Sequence, residues 1–349
     1  MQALILAGGE GTRLRPLTYT VPKPVLPLAG RPHIAYVIDW LVSHGVDDVI
    51  VSCGHLAERV RRALEQREPG VTIRYAEEPD ARGTAGAIRF AEEMLAERFL
   101  VLNGDILCDL DLTAQIEQHE RTGARGTLAL YPVADPSGYG LIHRRDDGEI
   151  TEFLEKPEPH EIDTDEINAG AYLLERSVLE QIPPDRAVSI EREVFPHLVG
   201  HGLYGIRLEG YWIDIGTPDK YLQAHRDIMD GRFVAAPFAS GTGGACVSPD
   251  ARIENGAIIE GPCFIDRGVV IKKGATIKRY SVIGHDCHID EDASIDGAIL
   301  WPNTWVDREA RLGPVIAGRH AHFGRNVQID GGVFGDKSVI TDFSQSVRG

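Results

Sequence analysis

Residues 4–18 read Leu4-Ile5-Leu6-Ala7-Gly8-Gly9-Glu10-Gly11-Thr12-Arg13-Leu14-Arg15-Pro16-Leu17-Thr18, and Pro22-Lys23-Pro24 follows shortly after them. A short apolar run, typical of a strand, enters a loop with three glycines. Because glycine has no side chain, such a loop lets backbone N–H groups approach a ligand and point inward together. Arg13, Arg15 and Lys23 add positive charge, and a guanidinium group binds two phosphate oxygens at once. The stretch therefore predicts a phosphate-binding loop after a first strand.

Two better-known glycine loops do not fit this stretch. A Walker loop needs Lys and then Ser or Thr after its second glycine, whereas Gly11 is followed by Thr12 and Arg13. A dinucleotide-binding loop needs a third glycine where Leu14 stands. A plain tight turn between a strand and a helix remains an alternative, and the neighbouring cations favour the phosphate-binding loop over it.

Up to about Met229, short apolar runs alternate with helical patterns: Ala3–Leu6, Ile34–His44, Val49–Ser52, Ala57–Gln66, Ile73–Tyr75, Ala85–Glu93 and Phe99–Leu102. Strands that alternate with helices predict crossover connections and a doubly wound α/β sheet. Ligands of such sheets bind beyond the carboxyl ends of the strands. The glycine loop follows the first strand and Asn103-Gly104-Asp105 follows the last run, so both are expected at one edge of the sheet.

A different repeat begins near Cys246, where an aliphatic residue recurs at every sixth position: Val247, Ile253, Ile259, Ile265, Ile271, Ile277, Ile283, Ile289 and Ile295. This hexapeptide repeat predicts a parallel β-helix, in which each six-residue side turns one aliphatic residue inward and three sides close a coil. The register slips near Trp301 to Val306 and resumes loosely at Leu312, Phe323 and Ile329. Gly231 to Gly244 is the predicted linker, which gives a first domain of residues 1–239 and a second of residues 240–349.

Charge and cysteine use limit the class of protein. The 349 residues carry a formal net charge of −17, which argues against nucleic acid or an anionic membrane as the partner. Residues 1–239 hold 24 basic and 39 acidic residues, so binding a triphosphate there calls for a divalent metal. The five cysteines are scattered without a Cys-x-x-Cys pair, which is typical of a reducing compartment. With no signal or membrane-spanning run expected, a cytoplasmic location is predicted.

The glycine loop with Arg13 and the Pro22-Lys23-Pro24 element resembles the signature of the sugar-1-phosphate nucleotidylyltransferases. The resemblance implies a Rossmann-like nucleotidyltransferase domain with a doubly wound mixed sheet. The hexapeptide repeat in turn resembles that of left-handed β-helix proteins, which implies the left-handed form. The resemblance to the nucleotidylyltransferases also implies an activity, in which a sugar 1-phosphate attacks the α-phosphorus of a nucleoside triphosphate and pyrophosphate leaves. The nucleotide-binding residues that follow from it are Leu6, Ala7, Gly8, Gly9, Gly11, Thr12, Arg13, Lys23, Glu78, Gly83, Thr84 and Asp105.

Two aspartates resemble the metal ligands of that family. Asp105 follows an apolar run, and Asp214 lies in the motif Gly210-Tyr211-Trp212-Ile213-Asp214-Ile215-Gly216-Thr217-Pro218. One or two carboxylates together with substrate phosphates are the usual ligands of Mg²⁺ in phosphoryl-transfer sites. The alternative makes Asp105 a turn residue and Asp214 a cap at the end of a strand.

Lys156, in Glu155-Lys156-Pro157, resembles the lysine of the family that binds the sugar phosphate. The attacking phosphate is a dianion that approaches another polyanion, so it needs a cation of its own. Contacts to the sugar are expected from Gly140, Glu155, Asn168 and Gly170. An ordinary solvated charge pair beside a proline is the alternative. Since no covalent nucleophile is needed, the predicted catalytic residues position substrates and stabilise charge: Arg13, Lys23, Asp105, Lys156 and Asp214.

Glu78 stands where thymidylyltransferases of the family carry glutamine. A carboxylate accepts from the adjacent N–H donors of guanine, whereas uracil and thymine suit an amide. The sequence therefore favours GTP. The alternative is that Glu77 and Glu78 are surface charges at a strand end, and Arg82 departs from the apolar residue that many relatives have there.

The resemblance, together with Glu78, implies transfer of GMP from GTP to mannose 1-phosphate. Within the class, a thymidylyl-, uridylyl- or adenylyltransferase acting on glucose 1-phosphate is the alternative. Two other possibilities are a bifunctional enzyme, whose β-helix transfers acyl groups with a histidine base (His285, His288, His320 or His322), and a regulatory subunit that binds sugar nucleotides without catalysis. The open faces and end of a β-helix predict a homo-oligomer formed through that domain.

Overall fold

The computed structural model describes residues 1–54, 56–65, 70–184, 186–235, 238 and 243–346. The chain forms two compact units. Unit 1 comprises Met1–Glu10, Pro22–Pro24 and Ile34–Ile213, and unit 2 comprises Gly11–Val21, Val25–His33 and Asp214–Gly349. The predicted boundary between residues 239 and 240 lies outside the described residues, as does part of the predicted linker, so this boundary stays a prediction.

Most of the helices belong to unit 1. The α-helices are α1 (His33–Ser43), α2 (Ala57–Leu64), α3 (Gly83–Phe90), α4 (Leu112–Thr122), α5 (Phe195–Leu198) and α6 (Pro218–Met229). Their ends follow ordinary capping rules: Asp111 accepts hydrogen bonds from Thr113 N (2.9 Å) and Ala114 N (3.4 Å) at the start of α4. The same helix ends at Gly123, which has the left-handed conformation.

A nine-stranded mixed sheet forms the centre of unit 1. Its strands are β1 (Gln2–Leu6), β4 (Asp48–Cys53), β5 (Thr72–Glu77), β6 (Arg98–Asn103), β8 (Gly126–Pro132), β9 (Gly140–Arg144), β10 (Ile150–Glu155), β11 (Glu166–Glu175) and β12 (Leu203–Arg207). Two separate two-stranded sheets are formed by β2 (Pro27–Leu28) with β3 (Arg31–Pro32) and by β7 (Ile106–Cys108) with β13 (Trp212–Asp214). The order β10-β9-β11-β6-β1-β4-β5 is extended by β8 beside β11 and β12 beside β8. The predicted doubly wound mixed sheet is confirmed.

The parallel half of this sheet places the predicted site. Strand β1 runs parallel to β4 and β6, and Leu6 is in register with Ser52 on one side and Asn103 on the other. The three strands therefore end at one edge, as expected from the alternation of strands and helices. The interiors of these strands are apolar on both faces, and Leu4 and Ile5 are fully buried, because helices cover both sides of a parallel sheet.

Three parallel sheets build the β-helix of unit 2. They contain β14 (Ala245–Val247), β17 (Cys263–Ile265), β20 (Val282–Ile283), β23 (Ile299–Leu300), β26 (Val315–Ala317) and β29 (Gly332–Phe334); β15 (Arg252–Ile253), β18 (Val270–Ile271), β21 (His288–Ile289), β24 (Trp305–Val306), β27 (His322–Phe323) and β30 (Val339–Ile340); and β16 (Ile258–Ile259), β19 (Thr276–Ile277), β22 (Ser294–Ile295), β25 (Arg311–Leu312) and β28 (Gln328–Ile329). Three sheets of parallel strands, with successive coils stacked on one another, agree with the expected left-handed β-helix.

The slip in the repeat is a change in coil length. Ile265 is in register with Ile283, eighteen positions on, whereas Ile283 is in register with Leu300, seventeen positions on. One side of each later coil is thus one residue shorter, and the inward residues become Leu300, Val306, Leu312, Ala317, Phe323 and Ile329. Leu312, Phe323 and Ile329 were expected. At the other end, Val247 and Ile253 are 37% and 38% exposed, because the first coil has no coil before it.

Helix α6 also packs in unit 2 and carries a buried histidine. His225 is 1% exposed, and its Nδ1 accepts the Ala29 N–H at 3.3 Å. Burial lowers the pKa of His225 to about 3. Among the described residues, no helix is long and apolar enough to cross a membrane.

We expect His225 to make stability depend on pH. Below about 6.5, the ordinary pKa, an unfolded histidine takes up a proton that the folded state excludes, so the free energy of unfolding falls as the pH is lowered towards 3. The His225→Gln variant should lose less stability than wild type between about pH 7 and pH 4, measured by urea unfolding. The exposed His201 provides the control variant His201→Gln, which should behave like wild type. Equal pH dependence in wild type and His225→Gln would contradict this.

Candidate active site

The end of β1 touches the loop that carries Asp105. The amide of Gly104 donates to the Leu6 carbonyl at 2.9 Å. A Cβ atom built on Gly104 would lie 2.5 Å from that carbonyl oxygen, a distance that no side chain tolerates. On the other side of β1, Ala7 N donates to the Ser52 carbonyl at 2.8 Å. Leu6 and Ala7 are thereby fixed at the edge where the glycine loop begins.

Glu78 lies beside the glycine loop and is 8% exposed. The Ser52 hydroxyl donates to Glu78 Oε1 at 2.5 Å, and Glu78 N donates to the Cys53 carbonyl at 2.8 Å. A Cβ built on Gly8 would lie 3.4 Å from the same carboxylate oxygen. Glu77, in contrast, is exposed and pairs with Arg61. The description as a strand-end surface charge therefore holds for Glu77 and is wrong for Glu78.

Lys23 and Asp105 form an ion pair within unit 1. The lysine side chain is 10% exposed and the aspartate 30%. Two residues predicted for the triphosphate and the metal, 82 positions apart in the chain, are thus in direct contact. The carboxylate of Asp105 remains partly open to solvent, where a substrate could reach it.

Asp214 lies in unit 2 and is held by two groups that follow it in the chain. Gly216 N donates to Asp214 Oδ1 at 3.0 Å, and Lys220 Nζ donates to Oδ2 at 2.5 Å. Thr217 caps helix α6 directly after this turn, since its hydroxyl accepts from Lys220 N at 3.4 Å. Lys220 was missed in the sequence, because only the turn between Asp214 and α6 brings the two charges together.

Asp105 and Asp214 are the two residues predicted to bind a metal. Among the described residues, there is no cluster of three or more His, Cys, Asp or Glu that could hold a metal. Each of the two aspartates offers a carboxylate, and each carboxylate is paired with a lysine ammonium group, Asp105 with Lys23 and Asp214 with Lys220. A carboxylate is a suitable ligand for a hard divalent cation, which commonly takes its other ligands from phosphate oxygens.

Strands β9 and β10 bring Gly140 and Glu155 together. The two residues are in register, and a Cβ on Gly140 would lie 3.0 Å from Glu155 Oε2. Burial and the nearby Glu191 carboxylate raise the pKa of Glu155 above its usual value. Lys156 follows in the left-handed conformation with φ +56°, its amide donating to the Tyr139 carbonyl at 3.2 Å, and its side chain is exposed.

Asn168 and Gly170 share a bulge in β11. Asn168 Oδ1 accepts from Gly170 N at 3.0 Å, and Asn168 Nδ2 donates to the Tyr172 hydroxyl at 2.9 Å. Gly170 has φ +74°, and a Cβ there would lie 2.7 Å from Asn103 Nδ2. Asn103 Oδ1 is buried without a hydrogen-bond partner among the described residues. The predicted sugar contacts therefore adjoin the residue at which β6 ends.

Gly83 and Thr84, at the start of α3, contact a segment that the sequence did not single out. Gly83 has φ +68°, and a Cβ there would lie 2.6 Å from the Val188 carbonyl oxygen. Thr84 Oγ1 donates to Glu191 Oε2 at 2.8 Å, and the Ser189 hydroxyl donates to the same oxygen at 2.7 Å. Glu191 thus lies against Thr84 and also acts on Glu155. No local pattern marks it as a site residue.

The remaining loop residues are divided between the units. Gly9 belongs to unit 1. A Cβ built on Gly9 would have open space around it, since none of the described atoms lies within 4 Å. Gly11, Thr12 and Arg13 belong to unit 2. Gly11 has φ +62°, and the side chains of Thr12 and Arg13 are exposed at the start of a short 3-10 turn.

Comparison with known proteins identifies the family. Residues 2–231 match the nucleotidyl transferase family, and residues 259–345 match a family described as GMPPB C-terminal domain. The chain belongs to the nucleotidyl transferase family. It is 37% identical to mannose-1-phosphate guanylyltransferase catalytic subunit beta of Drosophila pseudoobscura pseudoobscura, over 98% of this chain and 90% of that protein.

Two further proteins are similar to this chain. UTP--glucose-1-phosphate uridylyltransferase of Synechocystis is 32% identical over 89% of this chain and 86% of that protein. The crystal structure of HddC from Yersinia pseudotuberculosis complexed with GMP-PN is similar with a TM-score of 0.57 and 29% identity, covering 65% of this chain and 99% of that chain. The predicted class, a sugar-1-phosphate nucleotidyltransferase, is confirmed.

We expect Asp105→Asn to lower the turnover number about 100-fold or more, because the variant loses the charge that would bind a metal and balance Lys23. The readout is pyrophosphate release at saturating substrates and varied Mg²⁺. Asp146→Asn, which removes an exposed carboxylate of unit 1, is the matched control and should keep wild-type turnover. Thermal unfolding of both variants should stay near that of wild type. An Asp105→Asn enzyme with a wild-type response to Mg²⁺ would refute the role of Asp105.

Proposed function

We propose that this protein transfers GMP from GTP to mannose 1-phosphate, forming GDP-mannose and releasing pyrophosphate. The observation that carries the proposal is the buried Glu78 carboxylate beside Gly8. Its Oε1 is oriented by the Ser52 hydroxyl, and a carboxylate is the acceptor that matches the adjacent N–H donors of guanine. The names of relatives such as the Drosophila protein point to the same substrates.

In this proposal, the residues of the site position two anions and stabilise charge. Gly8, Gly9, Gly11 and Thr12 surround the triphosphate, and Arg13 and Lys23 bind its phosphates. Lys156 binds the sugar phosphate, whose oxygen attacks the α-phosphorus directly. Asp105 and Asp214 would hold Mg²⁺, which neutralises phosphate charge when bound. Gly83 and Thr84 border the nucleotide, and Gly140, Glu155, Asn168 and Gly170 contact the sugar.

A glucose-1-phosphate uridylyltransferase is the second candidate. It is favoured by the relative of that name in Synechocystis, which spans nearly the whole chain. The two candidates differ in what Glu78 accepts, because uracil offers a single N–H donor on its pairing edge where guanine offers two adjacent ones. Acyl transfer by the β-helix is not proposed. His288 stacks on Trp305 with ring centroids 4.0 Å apart, and the partly exposed pair of His322 with Asp307 at 3.0 Å does not by itself indicate a site.

We expect Glu78→Gln to shift base preference from GTP towards UTP or dTTP. A carboxylamide loses the paired acceptors for guanine, and a matched pair of hydrogen bonds to a base is worth about 1–3 kcal/mol, or roughly 5- to 150-fold in kcat/KM. The readout is kcat/KM for four nucleoside triphosphates against mannose 1-phosphate and glucose 1-phosphate.

Glu77→Gln is the matched control for this experiment, because the neighbouring carboxylate is exposed and pairs with Arg61. It should leave base preference unchanged. A wild-type enzyme that prefers UTP or dTTP to GTP would overturn the proposed role of Glu78 and favour the second candidate. If the wild type prefers GTP and the Glu78→Gln variant prefers it equally, a group other than Glu78 recognises the base.

We further propose that residues 240–349 form a domain through which the protein makes a homo-oligomer. Trp305, His322 and Val339 are aligned on one sheet of the β-helix, and Trp305 and Val339 are 47% and 68% exposed. Large exposed apolar side chains on one face favour a covered surface. We also propose a cytoplasmic location, which is supported by the scattered cysteines typical of a reducing compartment.

Sedimentation of the full chain at micromolar concentration should give a species larger than a monomer, and Trp305→Glu should shift it towards monomer, because a buried charge opposes association. Arg311→Glu, an exposed change on a neighbouring sheet of the β-helix, is the control. A monomeric wild type at that concentration would contradict the proposal.

A further inference from the structure

Two residues late in the β-helix contact the segment that follows the glycine loop. Thr20 Oγ1 donates to Asp336 Oδ2 at 2.9 Å, across 316 positions of the chain. The neighbouring Gly335 lies against Pro16, because a Cβ built on Gly335 would be 3.2 Å from Pro16 Cβ and 3.3 Å from Pro16 Cγ. All four residues belong to unit 2. The segment 11–21 is therefore part of the same compact unit as the β-helix.

Asp336 is itself held by the coil before it. Its Oδ1 accepts from Arg319 N at 2.8 Å, which leaves Oδ2 directed at Thr20. Gly318, the residue before Arg319, packs against the same turn, since a Cβ there would lie 2.6 Å from Asp336 N. The carboxylate is thus oriented by the preceding coil, and a charged acceptor is a strong partner for a hydroxyl group.

Hydrogen bonds link successive residues of segment 11–21. Thr20 N donates to the Leu17 carbonyl, and Thr18 Oγ1 and Leu14 N both donate to the Gly11 carbonyl, at 2.8 and 2.9 Å. The side chains of Leu14 and Leu17 are fully buried. Gly11 immediately precedes Thr12 and Arg13, so these hydrogen bonds and the two buried leucines lie between the β-helix contact and these residues.

A second segment of unit 2, Val25–His33, is anchored in the same way. A Cβ built on Gly30 would lie 2.6 Å from Phe264 Cζ in strand β17. Helix α6 contributes the Tyr221 hydroxyl, which donates to the Pro27 carbonyl. Trp301 Nε1 of the β-helix donates to that same hydroxyl at 3.3 Å. Both segments that flank Pro22–Pro24 in the sequence therefore contact the β-helix, and Val25–His33 contacts α6 as well.

We propose that Thr20 and Asp336 are positioning residues for the nucleoside triphosphate, acting through segment 11–21 to hold Arg13 in place. The inference rests on the proposed function, because it takes Arg13 as a phosphate ligand. It gives the β-helix a share in substrate binding in addition to any role in assembly. The hydroxyl of Thr20 touches no reacting group here. Its removal should weaken binding of the triphosphate and leave the sugar phosphate site unchanged.

The test uses the full-length protein and the Thr20→Val variant, which keeps the shape of the side chain and removes the donor. We expect KM for GTP to rise about 10-fold, the scale for losing one hydrogen bond to a charged group, while KM for mannose 1-phosphate stays within about twofold. Thr20→Ser should restore the wild-type value. Thr341→Val is the matched control, because Thr341 is exposed and bonds Ser344 within the β-helix.

Amide hydrogen exchange separates positioning from general loss of stability. In Thr20→Val, segment 11–21 should lose protection while strands of the β-helix core keep theirs. An unchanged KM for GTP overturns the inference, and so does a loss of protection throughout the chain. If another triphosphate supports faster pyrophosphate release than GTP, the same measurements are made with that triphosphate. The test of Thr20 therefore does not depend on which nucleobase the enzyme prefers. A wild type that releases pyrophosphate from no triphosphate overturns the proposed function and this inference together.

Discussion

The close approach of Gly104 to the carbonyl of Leu6 is the constraint on which the candidate site depends. The hydrogen bond of 2.9 Å joins the end of the first strand to the loop that carries Asp105, and the lack of room for a Cβ excludes other residues. Through this contact, the place where the glycine loop begins also fixes where Asp105 lies. Lys23 then pairs with Asp105, so a local steric limit determines the position of a charged pair.

Electrostatics explain how such an acidic chain can bind two phosphorylated substrates. The net charge of −17 opposes anions overall, so local cations must act at short range. Lys23 and Lys220 are each engaged by a predicted metal-binding carboxylate. In the proposed function, phosphate oxygens compete with these carboxylates for the ammonium groups, and a divalent cation compensates the carboxylates. Lys156 lies in a left-handed turn with an exposed side chain, which suits a group that meets its substrate from solvent.

Patterns repeated along the chain could be predicted, whereas contacts between distant segments could not. The hexapeptide period identified inward residues such as Ile271 and Ile289, both fully buried, because the repeat itself encodes the coil. The shortening of later coils could not be predicted, since one residue fewer in each coil interrupts the six-residue period of the sequence. Glu78 was found from its chemistry, and its burial next to an exposed Glu77 follows from alternation along and beyond β5. Glu191 and the Thr20–Asp336 contact carry no local signal, because they arise when segments more than 100 residues apart meet.

Recognition of guanine by the Glu78 carboxylate, beside the glycine loop, is central to the proposed function. The most direct measurement is a crystal structure of the protein with a non-hydrolysable GTP analogue and mannose 1-phosphate. We predict that the Glu78 carboxylate accepts hydrogen bonds from guanine N1 and N2, while the Ser52 hydroxyl continues to donate to it. A guanine base bound elsewhere, with Glu78 making no contact to its N–H groups, would contradict this role of Glu78.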